Sequence, residues 1–539
     1  MNRLVVCCYL LIGWVAPLAS CNTPTAAAQQ PSRNVILFLV DDLGWSDVGC
    51  YGSQFYETPH IDQLAKRSVR FTHAYAACHV CSPTRASIVT GKYPARLQLT
   101  DWLPGRKEFP FQQLSNATTV QQLPLAEVTL AEALRDHGYR TAHIGKWHLG
   151  EEPFGPRQQG FDLQIPRWNK GWPKAGYHPP FEMDNLDSQP GDYLTDRLTD
   201  AALEFIDSSG KQPFFLYLAH FAVHDPIEGR ADLVAKYQRK LEGLPPAEGA
   251  AFVLEGNPDD QPPVSQIELQ QRLGDEAWSG YRVLPDRLVK IKQHQDNVQF
   301  AAMVEAVDES LGRLVSKLES LQLANDTVII LCSDNGGMSA ANFGNPSRVI
   351  NAAAIDKAFS TANLPLRGGK GWLYEGGIRV PFIVHWPVRG QVGQVCNTPV
   401  VSSDIYPTVL DMLGLPLRPL QHVDGVSLAP LLSGSGDLER AAIYWHFPHY
   451  SNHGLQSPGG AIRAGDYKLL EYFENGTVQL FNLRTDPGEL HDLSKAEPTK
   501  AAELRSMLQT WRNTLSAQRM VANPDYVPAA GHDRQAAGR

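Results

Sequence analysis

Four apolar runs in this chain stop abruptly on polar or ionisable residues. Asn34 to Val40 (NVILFLV) runs into Asp41-Asp42, and Thr141 to Gly145 into Lys146-Trp147-His148. Pro213 to Ala219 leads to a stretch ending at His224, and Thr327 to Cys332 leads to Asp334-Asn335. Continuous β-branched and Leu-rich runs predict strands buried on both faces, hence a parallel or mixed sheet covered by helices. Ligands of such sheets bind beyond the carboxyl ends of the strands, where all four runs place chemically capable side chains.

Helical signals alternate with these runs. Thr58-Pro59 supplies an N-cap and a first-turn proline before Ile61 to Val69, and Thr129 to Glu132 reads as a capping box for a helix ending near Gly138. Apolar residues from Phe300 to Leu318 recur at helical spacing and predict a long amphipathic helix over Val298 to Leu321. The fold class is therefore α/β, a large mixed and mostly parallel sheet sandwiched by helices. Between Pro226 and Asn297 the pattern loosens into a surface insertion, 226–297. From Ala461 the sequence alternates and contains Asn475-Gly476, read as a two-residue hairpin turn, which predicts a small C-terminal antiparallel α+β subdomain. The expected organisation is a leader over 1–28, a catalytic domain over 29–434, the subdomain over 435–520 and a flexible tail over 521–539.

Composition narrows the functional classes. The formal net charge of -9 disfavours general nucleic-acid binding, so any anion site must be local. The first residues carry an early Arg, an apolar run and small residues before Cys21, the layout of an export signal. Leu18-Ala19-Ser20-Cys21 resembles a bacterial lipobox, with Cys21 as a lipidated mature N-terminus; cleavage after Ala28 would instead leave a soluble start near Gln29. The expected location is accordingly periplasmic, cell-surface lipoprotein or secreted, with membrane contact only through such an anchor. Cysteines at 7, 8, 21, 50, 78, 81, 332 and 396 lack the spacing of a disulfide scaffold, and five lie beyond the leader, an odd number.

That leftover thiol leads to residues 78–85, CHVCSPTR. Cys78 and Cys81 form a Cys-x-x-Cys pair, but no second pair completes a zinc site and Ser82 stands where haem attachment needs His. Reading forward, Cys81-Ser82-Pro83-Thr84-Arg85 continuing to Thr90-Gly91 resembles the signature of the formylglycine-dependent sulfatases, of the bacterial carbohydrate sulfatase type within the alkaline phosphatase superfamily. The resemblance implies that a separate formylglycine-generating enzyme oxidises Cys81 to an aldehyde, which works as its hydrate. Pro83 near the start of a helix over Thr84 to Thr90 would set residue 81 at a helix N-terminus, which favours an anion.

Further residues carry the resemblance along most of the chain. Asp41, Asp42, Asp334 and Asn335 resemble the family's metal ligands, with the residue-81 hydrate as a further ligand; oxygen-only donors suit a hard divalent cation, and the resemblance favours Ca²⁺, with Mg²⁺ second. Arg85 would hold the hydrate. Lys146 and His148 in Gly-Lys-Trp-His would bind sulfate and take a proton from the hydrate. His224 and Lys370 would bind sulfate and assist the leaving oxygen, while His220 is a neighbour or core residue. Asp225 stands where many relatives carry Thr. Glu375 and Arg379 are spaced i, i+4 and read as a structural ion pair.

The implied function is hydrolysis of sulfate esters of a carbohydrate, with release of inorganic sulfate. Two other readings stay open: a phosphonate monoester or phosphodiester hydrolase of the same superfamily, and a non-catalytic lipoprotein that binds sulfated glycans. Asp101, Trp102, Arg106 and His446, with the stretches 167–172 and 445–450, are candidate sugar contacts by stacking and hydrogen bonding.

Overall fold

A computed structural model of the chain describes residues 33–527 apart from 261–268, 270, 272–280, 283–287, 343–348 and 351. The stretches expected to be an export leader and a lipobox, and residues 528–539, lie outside the described residues. Strands β1 (Asn34–Val40), β2 (Val69–Phe71), β3 (Arg140–Gly145), β4 (Leu163–Ile165), β5 (Phe214–Ala219), β6 (Thr327–Ser333), β7 (Phe382–His385) and β8 (Gln394–Cys396) form one sheet in the order β8-β2-β7-β6-β1-β5-β3-β4. From β6 to β4 all neighbours are parallel; β7 and β2 each pair antiparallel, and β8 adds a parallel edge to β2.

The four runs predicted as buried strands are thus β6, β1, β5 and β3, side by side at the centre. Their uninterrupted apolarity has a simple cause. Ile36, Phe38 and Val40 of β1 face one helical layer, while Val35, Leu37 and Leu39 face the other. The first layer holds α1 (Pro59–Lys66), α4 (Leu194–Ser209), α5 (Ala231–Glu242) and α6 (Val298–Ser320). The second holds α2 (Cys81–Thr90), α3 (Leu130–Arg135) and α7 (Ile405–Met412). At α3 the capping box forms in full: Glu132 N donates to Thr129 Oγ1 at 3.2 Å and Thr129 N to Glu132 Oε2 at 2.8 Å.

Several expectations need adjustment. Helix α2 begins at Cys81 itself, three residues before Thr84, so Pro83 lies within its first turn. The loosely patterned insertion is not only surface: Leu233 and Tyr237 of α5 are buried against the core, and Phe252–Glu255 pairs with Val289–Lys292. In the C-terminal part, β9 (Ile443–Phe447), β10 (Gly459–Ala464), β11 (Tyr467–Tyr472) and β12 (Val478–Asn482) form an antiparallel sheet in chain order. Asn475-Gly476 does belong to a hairpin, but the connection runs from Phe473 to Thr477, with only Gly476 left-handed (φ 73°). One sheet face packs against Trp372, Tyr374 and Ile378, the other against Leu504 and Leu508 of α8 (Pro498–Thr514). The expected tail from 521 is tied down through Val527, because Val521–Ala522 pairs with Leu114–Ser115 and Asn523 Nδ2 donates to Gln112 O at 2.9 Å. Among the described residues no helix is long and apolar enough to cross a membrane.

Candidate active site

Strand register alone brings the strand-end residues together. Val40 pairs with Ser333, Leu39 with Ala219, and Ala219 with Gly145, so Asp41, Asp334, His220 and Lys146 follow directly at one edge. At Gly145 (φ 108°) a Cβ would stand 1.8 Å from the Ala219 carbonyl, which accepts from Lys146 N at 2.7 Å. Only glycine lets the chain cross there and deliver Lys146 inward.

Carboxylate oxygens of Asp41, Asp42 and Asp334 lie within 4.8 Å of one another, fully buried. Three anions at that spacing need compensation. Arg85 from α2 donates through Nε to Asp334 Oδ2 at 2.8 Å and lies 3.7 Å from Asp41 Oδ1. Lys146 Nζ reaches Asp41 Oδ2 at 2.5 Å, and Lys370 Nζ reaches Asp42 Oδ2 at 2.8 Å. Three cations therefore balance three anions. Burial and the neighbouring Asp334 push the Asp41 carboxyl up to about 8. Burial works against the Asp42 charge too, yet Lys370, His224 and Lys146 hold it below the usual carboxylate range.

The donor set fits a hard divalent cation. Asn335 Nδ2 donates to Asp42 Oδ1 at 2.7 Å, which leaves its own Oδ1 buried without a partner among the described residues. Asp41 Oδ1 is likewise an orphan acceptor. Buried orphan acceptors beside a cluster of carboxylates are what an oxygen-coordinated ion would satisfy. Cys81 opens α2 and is buried, within electrostatic range of Lys370, Arg85 and Asp101. It is not one of the clustered oxygen donors.

The two histidines are held in different protonation states. His148 Nε2 lies 2.6 Å from the Leu103 carbonyl, which can only accept, so that nitrogen carries the proton. Its Nδ1 is a buried acceptor without a partner among the described residues, and burial together with Lys146 keeps the ring neutral. His224 Nδ1 donates to Asp225 O at 2.7 Å and lies 2.9 Å from Asp225 Oδ1. Burial and Lys370 oppose its charge, but Asp225, Asp42 and Asp41 prevail and hold it up to about 9. His220 is core: its ring meets Phe38 edge-on and Nε2 contacts Ser310 Oγ at 3.0 Å.

Of the sugar-contact candidates, Asp101 to Leu103 lie beside the start of α2, where Leu103 N donates to Ser82 Oγ at 3.2 Å. Asp101 is buried and accepts from Trp102 N and Arg106 N. Trp102 packs on Cys78, Val80 and Phe447, and Arg106 NH1 donates to Ser451 O at 2.6 Å. Trp172 in the 167–172 stretch is 41 % exposed. His446 is elsewhere, against Phe473 and Gln518 in a separate cavity. The four thiols Cys50, Cys78, Cys332 and Cys396 are unpaired.

Sequence reading passed over His453. Its backbone abuts Gly371, whose added Cβ would meet the His453 carbonyl at 2.1 Å, and its ring feels Lys370, Asp42, Asp225 and His224. Both ring nitrogens are buried without partners among the described residues. The only signal was polarity: Ser451-Asn452-His453-Gly454 follows the aromatic run of β9.

The segment carrying Lys370 is fixed by a buried charge network. Lys468 Nζ of β11 bridges Glu375 Oε1 at 3.0 Å and Glu489 Oε1 at 2.8 Å, while Tyr75 OH donates to Glu375 Oε2 at 2.8 Å. The expected Glu375–Arg379 pair exists at 3.7 Å but is the weaker of Glu375's contacts. Lys468→Met should leave two facing buried carboxylates and cost about 3–5 kcal/mol of stability, read from denaturant unfolding; an unchanged midpoint would refute that role.

Comparison with known proteins agrees with this geometry. The sulfatase family model matches residues 33–415, and a model described as the C-terminal part of N-sulphoglucosamine sulphohydrolase matches 369–518. Steryl-sulfatase of Homo sapiens is 31% identical over 78% of this chain and 73% of its own length. N-acetylglucosamine-6-O-sulfatase of Bacteroides thetaiotaomicron is 26% identical over 91% and 88%. The crystal structure of Ps i-CgsB in complex with k-i-k-neocarrahexaose is 27% identical, covers 89% of this chain and 92% of that one, and superposes with a TM-score of 0.66.

Proposed function

From the premise that the chain belongs to the sulfatase family, a sulfuric ester hydrolase of alkaline phosphatase-like fold, we propose that it removes sulfate from a sulfated carbohydrate by way of formylglycine formed at Cys81. The observation that carries the reading is the convergence of Cys81 and Arg85 with the Asp41–Asp42–Asp334 cluster, Lys146, Lys370 and two oppositely protonated histidines. The N-acetylglucosamine-6-O-sulfatase and neocarrahexaose-bound relatives support a sugar in place of a small aryl substrate.

Asp41, Asp42, Asp334 and Asn335 would hold the cation, Ca²⁺ before Mg²⁺, which when bound supplies Lewis-acid polarisation of a sulfate oxygen. Lys146 and Lys370, paired with Asp41 and Asp42, would turn their charge on the anionic substrate once a cation offset the carboxylates. The formylglycine hydrate supplies one hydroxyl as nucleophile and its geminal partner as the route by which sulfate leaves. His224, protonated against Asp225, donates its proton to the departing sugar oxygen, and Lys370 steadies the charge developing there. His148, neutral with Nδ1 bare, accepts the proton of the remaining hydroxyl as the aldehyde reforms. Arg85, pinned to Asp334 and to Lys146 O at 2.7 Å, keeps residue 81 in register with the cluster.

His453→Ala should lower kcat/KM on the sugar substrate by about tenfold or more, through loss of a hydrogen bond to bound substrate; unchanged kinetics would exclude His453 from the site. The leader supports export, with or without lipidation of Cys21. Turnover of sulfate monoesters set against phosphate monoesters, phosphodiesters and phosphonates tests the assignment; dominant phosphodiester or phosphonate hydrolysis would overturn it. Absence of turnover with every sulfate ester tried, for protein carrying the modified residue, would favour a binding lipoprotein.

A further inference from the structure

Helix α8, strands β9 and β11 and residues 517–520 line a cavity of about 500 Å³, within the range that ligand pockets occupy. No side chain assigned above to the carboxylate site lines it. Arg505, Arg512 and Arg519 face it, with Glu471 its only lining carboxylate. Glu471 takes both Arg505, at 2.7 Å, and Arg512, so one carboxylate stands against three guanidiniums. In a chain whose formal net charge is -9, that is a local reversal of sign.

His446 adds a second and independent demand. It is 7% exposed, and its Nε2 lies 2.7 Å from the Gln518 carbonyl and so carries the proton. Burial keeps the ring neutral, lowering it to about 4. Nδ1 is then a bare acceptor, and among the described residues it has no partner. A buried acceptor without a donor is costly. The nearby guanidiniums of Arg505 and Arg512 are committed to Glu471. An occupant would bring a hydroxyl to Nδ1, which is closed off from the cavity and is reached when the His446 ring turns, and an anionic group to Arg519, the lining guanidinium that Glu471 does not hold. Inorganic sulfate offers only the second, a neutral sugar only the first, and a sulfated sugar both.

We propose that this cavity is a second binding site for a sulfated saccharide, separate from the carboxylate site, which retains the polymer while an ester elsewhere on it is hydrolysed. The proposal rests on the carbohydrate sulfatase reading. Its test uses Asn513→Trp, which fills the cavity from an exposed position on α8, and Arg519→Glu, which reverses an exposed lining charge. Calorimetric titration of the non-hydrolysing Cys81→Ala protein with a sulfated tetrasaccharide should give two sites, reduced to one by Asn513→Trp. In the active enzyme both variants should raise KM on a sulfated polysaccharide by about fivefold while leaving a small aryl sulfate unaffected, because the second contact acts only on a substrate long enough to span both sites. One calorimetric site unaltered by Asn513→Trp, or polymer kinetics unaltered by both variants, would overturn the proposal. Equal binding of inorganic sulfate and tetrasaccharide at this site would also overturn it, since His446 would then have no part. Because the titration needs no turnover, a failure of the hydrolytic reading shows separately, as absent sulfate release.

Discussion

Cys81→Ala should lose sulfate release by at least about 10⁴-fold while its unfolding midpoint stays near that of the parent. On the proposed mechanism the rate loss follows from removing the residue that becomes the geminal diol. The fold is spared because, among the described residues, no hydrogen bond to the cysteine side chain holds α2 in place. That helix is anchored instead by Thr84 Oγ1, which donates to Cys78 O at 3.0 Å, and by the buried Arg85. Cys81→Ser should retain at most one turnover: a single hydroxyl can accept the sulfuryl group but has no geminal partner to expel it. Mass spectrometry of the peptide containing residue 81 should show a loss of about 18 Da relative to the thiol in active preparations. Activity that persists in Cys81→Ala, or full activity from a peptide that still carries the thiol, would refute the mechanism.

Asp334→Asn is expected to be nearly as severe, with about 10³-fold or more lost in kcat/KM together with the bound metal. The amide is preferable to alanine as a probe. Asp334 Oδ1 accepts from Asp42 N at 3.2 Å and Oδ2 from Arg85 Nε at 2.8 Å, so truncation would leave a buried guanidinium unpaired and confuse instability with lost chemistry. Added Ca²⁺ should raise the Tm of the parent, by the equivalent of about 2.7 kcal/mol at a hundred times its Kd, and should leave Asp334→Asn unmoved. Chelation should imitate the variant and be reversed by Ca²⁺ more readily than by Mg²⁺. A chelated, metal-free enzyme that keeps its full rate would exclude a catalytic cation.

The two oppositely protonated histidines show how far residue identity goes. His148 and His224 are each visible as a strand-end histidine, and residue type alone does not separate a base from an acid. The difference lies in their partners. Leu103, on a loop 45 residues before His148, takes the Nε2 proton of one, whereas Asp225 is adjacent in sequence and charges the other. Asp225 is thus a case where the departure from the common threonine becomes intelligible only once its contact with His224 Nδ1 is seen. Glu375 teaches the converse: its i, i+4 partner is real, but Lys468, 93 residues on, is closer and better buried.

What the sequence by itself determined is the chemical inventory and the elements bearing it: four apolar strands ending in acids, an amide, a lysine and two histidines, and a Cys81 signature at a helix start. Those features are local, and periodicity, capping and motif spacing report local physics directly. Tertiary structure alone decided which strand ends meet, because Asn34 pairs with Thr327 across nearly three hundred residues and only burial of both sheet faces selects that pairing. It also brought His453 beside Lys370, tied the Lys370 segment to Lys468, and moved His446 from the expected sugar pocket into an arginine-lined cavity of its own. In each case the deciding quantity is the partner of a buried polar atom, which packing assigns and no window of sequence contains.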